Sequence, residues 1–283
     1  MRRYTLRTHL TACLALLAAC RGEARGYRPL ATAAPAARIV SLSPAITELL
    51  YTLGAGDRLV GRTTWCDYPP QVRAVPSVGD GLNPSVETLV ARRPDLVVLY
   101  RSALNDATVR RLEELGIAAV ALRQDRLEDL AEDARQLGRL TGHPAAGDSL
   151  AETLSALLAA PAPDLHLRLV VVAWNTPPMV IGGGSYLDEL ATLAGAHNAF
   201  HDLREAAAVV SLETSAARDP DIVAVLEDSA TRLPPFVTRP EWQAIRAVRT
   251  GHVVVLPGPL FGRPSPRAAT AVAELRRRLE AAR

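Results

Sequence analysis

The chain has 283 residues, nearly half of them hydrophobic, with 32 basic against 30 acidic side chains and a formal net charge of +2. Every basic residue is arginine, which excludes Schiff-base lysine chemistry, and the two signs are interspersed, which leaves no footprint for nucleic acid. No Cys-x-x-Cys pair, zinc-spaced Cys/His cluster, Gly-x-Ser-x-Gly or His-Glu-x-x-His run occurs, so nothing indicates a metal centre or a catalytic nucleophile.

The N-terminus reads as an address. Arg2, Arg3 and Arg7 precede an apolar run from Leu10 to Ala19. That run is shorter than the ~20 residues of a membrane span, so residues 1–19 are expected to be a cleaved signal. Leu17-Ala18-Ala19-Cys20 resembles the lipobox of bacterial lipoproteins, which implies diacylation of Cys20 and anchoring to a membrane through lipid alone. The alternative is an ordinary signal cut near Ala19, with Cys20 incidental. Residues 20–37, polar and Ala/Pro-rich, are expected to be a tether. Once Cys13 is cleaved and Cys20 lipidated, Cys66 is a lone thiol, expected to be buried and without a disulfide.

Beyond the tether, β-rich runs alternate with helical ones, the pattern of α/β architecture. Arg38 to Leu42 reads as a strand, and Ser43-Pro44 as a helix cap followed by proline at the first helical position. That helix ends at Gly54 and Gly56. Residues 58–64 form the next strand, followed by the loop Trp65-Cys-Asp-Tyr-Pro-Pro70 and a turn-rich stretch over 71–84. Ser85 caps a helix ending before Pro94, Leu96 to Tyr100 is a buried strand, 107–115 is a helix closed by Gly116, and 117–122 is a strand. Leu127, Leu130, Ala134 and Leu137 give 127–140 an amphipathic helical period. A helix over 147–160, with no accompanying strand, connects two halves. The plan then restarts: a strand over 167–174, a loop over 175–185, and a helix whose ending, Ala191-Thr-Leu-Ala-Gly-Ala196, echoes Tyr51-Thr-Leu-Gly-Ala-Gly56. Val253 to Leu256 is a later strand, and Ser265-Pro266 opens a final helix. The expected fold is α/β, with two Rossmann-like lobes over 38–142 and 166–283 joined by a linking helix within 143–165.

One phrase occurs twice. Ser85-Val-Glu-Thr-Leu-Val-Ala-Arg-Arg-Pro-Asp-Leu-Val97 returns as Ser211-Leu-Glu-Thr-Ser-Ala-Ala-Arg-Asp-Pro-Asp-Ile-Val223, identical at eight of thirteen positions and offset by 126 residues. That period is too long for a solenoid or propeller and fits two similar lobes. Glu87 and Glu213 fall in the first turn of their helices, where a carboxylate faces exposed N–H groups. The helix dipole explains either glutamate alone, and descent from a duplicated lobe explains the matching phrase.

These segments, together with Arg38-Ile-Val-Ser-Leu-Ser-Pro-Ala-Ile-Thr-Glu48, Asp67-Tyr-Pro-Pro70, Trp242-Gln-Ala-Ile-Arg-Ala-Val-Arg-Thr-Gly-His-Val253 and Ser265-Pro-Arg267, carry a resemblance across most of the chain. It resembles the substrate-binding proteins of ABC importers for cobalamin, haem and ferric siderophores, and is most similar to the cobalamin-binding members. The resemblance implies two lobes with a ligand cleft between them, a monomer, and no catalysis. It further implies that Glu87 and Glu213 dock onto arginines of the two permease subunits, a geometry suited to charge-assisted pairs.

The aromatics Trp65, Tyr68, Tyr100, Trp174, Tyr186 and Phe261 fall near expected strand ends, where ligands of open α/β sheets collect. Trp65, Tyr68, Trp174, Tyr186 and Phe261 are expected at the ligand, a cobalamin-type corrinoid whose flat macrocycle suits aromatic faces. Core packing is the alternative for each taken singly. Two features depart from the cobalamin-binding pattern. The tryptophan often found before the first docking glutamate is absent from Val78-Gly-Asp-Gly-Leu-Asn83, and the one before the second is replaced by Glu205-Ala-Ala-Ala208. A wider pocket, another cobamide or another metal chelate is the alternative these departures open, as are haem and ferric siderophores. A two-lobed cleft enzyme is the rival from another class. Gly182-Gly-Gly184 lacks phosphate-loop spacing and reads as a flexible turn. His197, His201 and His252 lack metal-ligand spacing.

Overall fold

The buried runs Ile39-Val-Ser41 and Leu96-Val-Val-Leu99 lack the in–out alternation of a half-exposed strand, and they are central strands of a parallel sheet covered on both faces. The computed structural model describes residues 34–82, 84–227 and 233–283. The expected signal, Cys20 and most of the expected tether lie outside the described residues, as does Asn83.

In chain order the first lobe comprises β1 (Ile39–Ser41), α1 (Pro44–Thr52), β2 (Leu59–Arg62), α2 (Val86–Ala91), β3 (Leu96–Tyr100), α3 (Asp106–Glu114), β4 (Ala118–Leu122) and α4 (Leu127–Leu140). Its four strands are all parallel, in the order β2-β1-β3-β4. Val40, Leu42, Leu89, Val97, Leu99 and Leu112 form its core.

The linking helix is α5 (Pro144–Ala159). It starts three residues before the expected Gly147, because a proline lacking an N–H is well placed at the first helical position. Gly147 meets α4 closely: a Cβ there would lie 2.4 Å from the carbonyl oxygen of Ala134. The link is therefore pressed along its neighbour in the first lobe.

The second lobe contains β5 (Leu167–Asn175), β6 (Pro178–Ile181), α6 (Tyr186–Ala194), β7 (Ala196–Asn198), β8 (Ala207–Val209), α7 (Leu212–Ala217), β9 (Ile222–Glu227), α8 (Arg246–Arg249), β10 (Val253–Pro257), α9 (Gly258–Phe261) and α10 (Ala268–Ala281). Its sheet runs β10-β9-β5-β6-β8, with β7 paired to β5. The pairings of β6 are antiparallel and the rest are parallel. Phe236 and Trp242 pack in its core with ring centroids 4.5 Å apart. The segment expected as a loop over 175–185 thus contains a strand. Pro178 opens that strand without needing a donor, and its carbonyl accepts from the Val210 N–H.

The duplicated phrase is duplicated in three dimensions. Ser85 Oγ accepts from the Thr88 N–H at 3.3 Å and Ser211 Oγ from the Thr214 N–H at 3.1 Å, so both serines are N-caps. Arg93 and Asp219, at equivalent positions, both adopt left-handed backbone, with φ of 49° and 43°. Two residues on, Asp95 accepts from the backbone of Ala37 and Arg38, and Asp221 accepts from that of Arg168. Each aspartate fastens the start of its lobe's first strand.

Ser43 differs from this pattern. It is extended ahead of α1 but makes no side-chain cap; its hydroxyl instead donates to Gln124 Oε1 at 2.8 Å. Ser265 likewise starts no helix: α10 begins at Ala268, and the Ser265 hydroxyl donates to Glu48 Oε2 at 2.6 Å.

Candidate ligand-binding cleft and docking faces

The carboxyl ends of β2, β3 and β4 in one lobe and of β5 and β9 in the other open onto two adjoining hollows that share Gly258 and Gly262. This is where side chains beyond the strand ends of open α/β sheets converge on a ligand. The larger hollow, about 500 Å³, is lined by Trp65, Asp67, Tyr100, Gln124 and Asp125 on one side and by Tyr186 and Arg263 on the other. The smaller, about 300 Å³, is lined by Trp174, Asn175, Glu227 and Phe236.

Trp65 is 69% exposed and Trp174 60% exposed. Indoles left this open are unusual for such large apolar groups, and here one stands on each lobe. Trp174 is held in place by its Nε1–H donating to the Thr176 carbonyl at 2.9 Å. Tyr186 lines the larger hollow, and its hydroxyl donates to the Phe261 carbonyl at 2.6 Å. Burial pushes that hydroxyl's pKa well above the usual range, against the opposing charge of Arg263. Tyr100 donates to Asp125 Oδ1 at 2.7 Å, and its pKa is pushed up to about 12 by burial, then by that hydrogen bond and the carboxylate charge.

Two expected contacts need correction. Phe261 is fully buried and lines neither hollow, and its carbonyl accepts from the Tyr186 hydroxyl. Tyr68 lines neither hollow; its ring lies under the Arg267 guanidinium, 3.9 Å from carbon to centroid, a cation–π contact.

That guanidinium belongs to a network absent from the sequence expectations. Glu48, on α1, is 2% exposed. It accepts from Arg263 Nε at 2.6 Å, from Arg267 Nε and Nη2 at 3.0 and 2.9 Å, and from the Ser265 hydroxyl. Arg263 also donates to Asp67 at 2.6 Å. Residues of the second lobe thus grip a carboxylate and a loop of the first. A reciprocal contact sits nearby, where Glu189 on α6 accepts from Arg126 Nη2 at 2.7 Å and from the Leu127 N–H at the start of α4, also at 2.7 Å. Burial raises the Glu189 pKa, and the Leu127 N–H and Arg126 oppose that rise. A sequence signal for Glu48 existed: it is the one acid in the apolar run Ala45-Ile-Thr-Glu-Leu-Leu50, and a buried charge needs a partner.

The triple glycine is no flexible turn. A Cβ on Gly182, Gly183 or Gly184 would come within 2.3 Å of the carbonyls of Glu205, His201 and Arg204 respectively, so the loop is pressed against 201–206. His201 pairs with Asp188 at 2.9 Å. Cys66 is buried and free, with Thr47 and Thr63 hydroxyls each 3.1 Å from its sulfur. Among the described residues, no group of three metal-ligating side chains comes together and no helix is long and apolar enough to cross a membrane.

Glu87 and Glu213 lie away from the cleft lining, both exposed in the first turns of α2 and α7. The Ser211 hydroxyl, with the backbone N–H of Glu213 itself, holds the Glu213 carboxyl below its usual range. Each lobe therefore presents an exposed glutamate on a serine-capped turn.

A family model described as periplasmic binding protein matches residues 39–260. The chain belongs to the periplasmic binding protein family. Among relatives of this periplasmic binding protein is the vitamin B12-binding protein of Salmonella typhimurium (strain LT2), 32% identical over 194 residues, which are 67% of this chain and 72% of the relative. The crystal structure of the periplasmic vitamin B12-binding protein of Vibrio cholerae superposes with a TM-score of 0.72 at 25% identity, covering 88% of this chain and 98% of that one. A periplasmic haem-binding protein from Roseiflexus sp. RS-1 superposes with a TM-score of 0.74 at 24% identity, covering 87% and 99%; this likeness is one of fold. The two-lobed architecture expected from the sequence is the architecture of these neighbours.

Proposed function

We propose that this periplasmic binding protein captures a cobalamin-type corrinoid outside the cytoplasm and delivers it to an ABC importer. The observation that carries the reading is the pair of exposed indoles, Trp65 and Trp174, set on opposite lobes around one cleft. A broad planar macrocycle offers apolar faces to such rings, and the relatives' names point to the same ligand class. Trp65, Trp174 and Tyr186 are assigned to ligand contact, with Tyr68 and Phe261 supporting the walls. The role is capture without catalysis.

Delivery is assigned to Glu87 and Glu213, one on each lobe, pairing with arginines on the two permease subunits. Residues 1–19 are assigned as the export signal and Cys20 as the lipid attachment, with the stretch to residue 37 as a tether. The lobes are taken as 38–142 and 166–283, joined through 143–165, and the protein works as a monomer.

Calorimetric titration of the purified protein with cyanocobalamin, cobinamide, haem and ferric siderophores tests the reading. Saturable binding of a corrinoid is expected. Binding of haem or a siderophore alone would transfer the assignment to the other ligand classes of this family.

A further inference from the structure

We infer that the cleft selects by charge, favouring a cationic or neutral corrinoid and disfavouring a ligand that carries clustered anionic groups. The inference rests on the corrinoid reading above and names a preference within it. Two lining carboxylates outside the ion-pair network carry it, Asp125 on one lobe and Glu227 on the other, while a third, Asp67, is paired with Arg263. Among the described lining residues the only cation is Arg263. Its charge is already engaged, with Glu48 Oε1 and Asp67 Oδ1 each 2.6 Å away, and its side chain is 13% exposed. Two of its five N–H groups are taken by these carboxylates, whose charge offsets its own. The cleft therefore shows a ligand a negative face, and a hollow with low-dielectric walls concentrates that field.

The tyrosines point the same way. Both hydroxyls donate to protein acceptors, Tyr100 to Asp125 and Tyr186 to the Phe261 carbonyl, and both are held as neutral phenols. Neither is poised as a phenolate to ligate an open iron. A haem arrives with two carboxylates and an iron seeking axial ligands. A corrinoid arrives with neutral amide side chains around a cationic cobalt–corrin core. Within the corrinoids, cobinamide lacks the phosphodiester of the nucleotide loop and so brings one negative charge fewer.

The test is isothermal titration of the full chain with diaquacobinamide, cyanocobalamin and haem, at low and at high ionic strength. The expected order is diaquacobinamide tighter than cyanocobalamin by about tenfold at low salt, with haem weakest. The spread should shrink at ~0.5 M salt, where screening shortens the reach of the carboxylates to a few ångströms. Asp125→Asn, which keeps an acceptor for Tyr100, and independently Glu227→Gln should each narrow the cobinamide-to-haem ratio severalfold. Corrinoid binding with no charge order and no salt dependence would overturn this inference and leave the proposed function standing. Haem binding as tightly as the corrinoids would overturn it as well. Absence of corrinoid binding would instead overturn the proposed function, and this inference with it.

Discussion

Glu48 on α1 accepts two hydrogen bonds from the guanidinium of Arg267, at 2.9 and 3.0 Å, across 219 residues of chain and from one lobe to the other. The same carboxylate holds Arg263 and Ser265, so every strong donor around it comes from the second lobe.

Removing that carboxylate leaves two half-buried guanidinium groups short of a partner. Glu48→Gln is expected to destabilise the protein by roughly 2–4 kcal/mol, somewhat below the full cost of breaking a buried pair because Arg267 keeps some contact with water. Urea unfolding at pH 7 measures it. A change below ~0.5 kcal/mol would show that the network does not hold the lobes.

Asp133 gives the fold a pH dependence. It is buried on α4, and its pKa is pushed from 3.8 to about 8, first by burial and next by the charge of Asp129, with Gln124 and Arg101 opposing. A raised folded-state pKa means that the folded protein holds the proton more tightly than the unfolded chain. This contribution to stability is complete below pH ~4 and is lost as pH rises towards ~8, at up to about 1.4 kcal/mol per pH unit. Asp133→Asn should flatten the profile and raise the melting temperature at pH 8–9; an unchanged profile would assign the dependence to another group.

Trp65→Ala and Trp174→Ala separate binding from folding. Both indoles are largely exposed, so each substitution should change stability by less than ~0.5 kcal/mol. Each should weaken corrinoid binding by roughly 2 kcal/mol, about thirtyfold, as loss of an aromatic anchor does. Calorimetry with cyanocobalamin gives the result, and unchanged affinity in both variants would remove the indoles from the ligand site.

The double variant Glu87→Ala/Glu213→Ala should leave ligand affinity and melting temperature nearly unchanged while abolishing uptake in cells. A large loss of affinity would contradict the docking role. A control on the lobe junction is Gly147→Ala, which forces a Cβ to within 2.4 Å of the Ala134 carbonyl and should cost at least ~1–3 kcal/mol.

Features governed by local chemistry were legible in the sequence. The serine caps of α2 and α7, the amphipathic α4 and the buried runs of β1, β3 and β5 depend on residues within a few positions of one another, and sequence spacing records such relations directly. The hairpin strand β6 was missed because Pro177-Pro178 reads as a breaker, although a proline costs nothing at a strand's first position. Trp65, Trp174 and Tyr186 line the two hollows, near strand ends where side chains converge. Phe261 shows the limit of that rule: position along the chain sets where a ring starts, and packing sets which way it turns. The partners of Glu48 were not legible for another reason. Glu48 lies more than 200 residues from each of its side-chain donors, and only tertiary structure states which arginines answer a buried acid.

The matched left-handed residues, Arg93 and Asp219, bear on how a partner sees this molecule. A non-glycine residue at positive φ is uncommon, and its recurrence at one position of a repeated phrase means that each glutamate-bearing helix passes into its own sheet along the same path. If Glu87 and Glu213 dock as proposed, a receptor of two like subunits would meet the same backbone turn beneath either carboxylate.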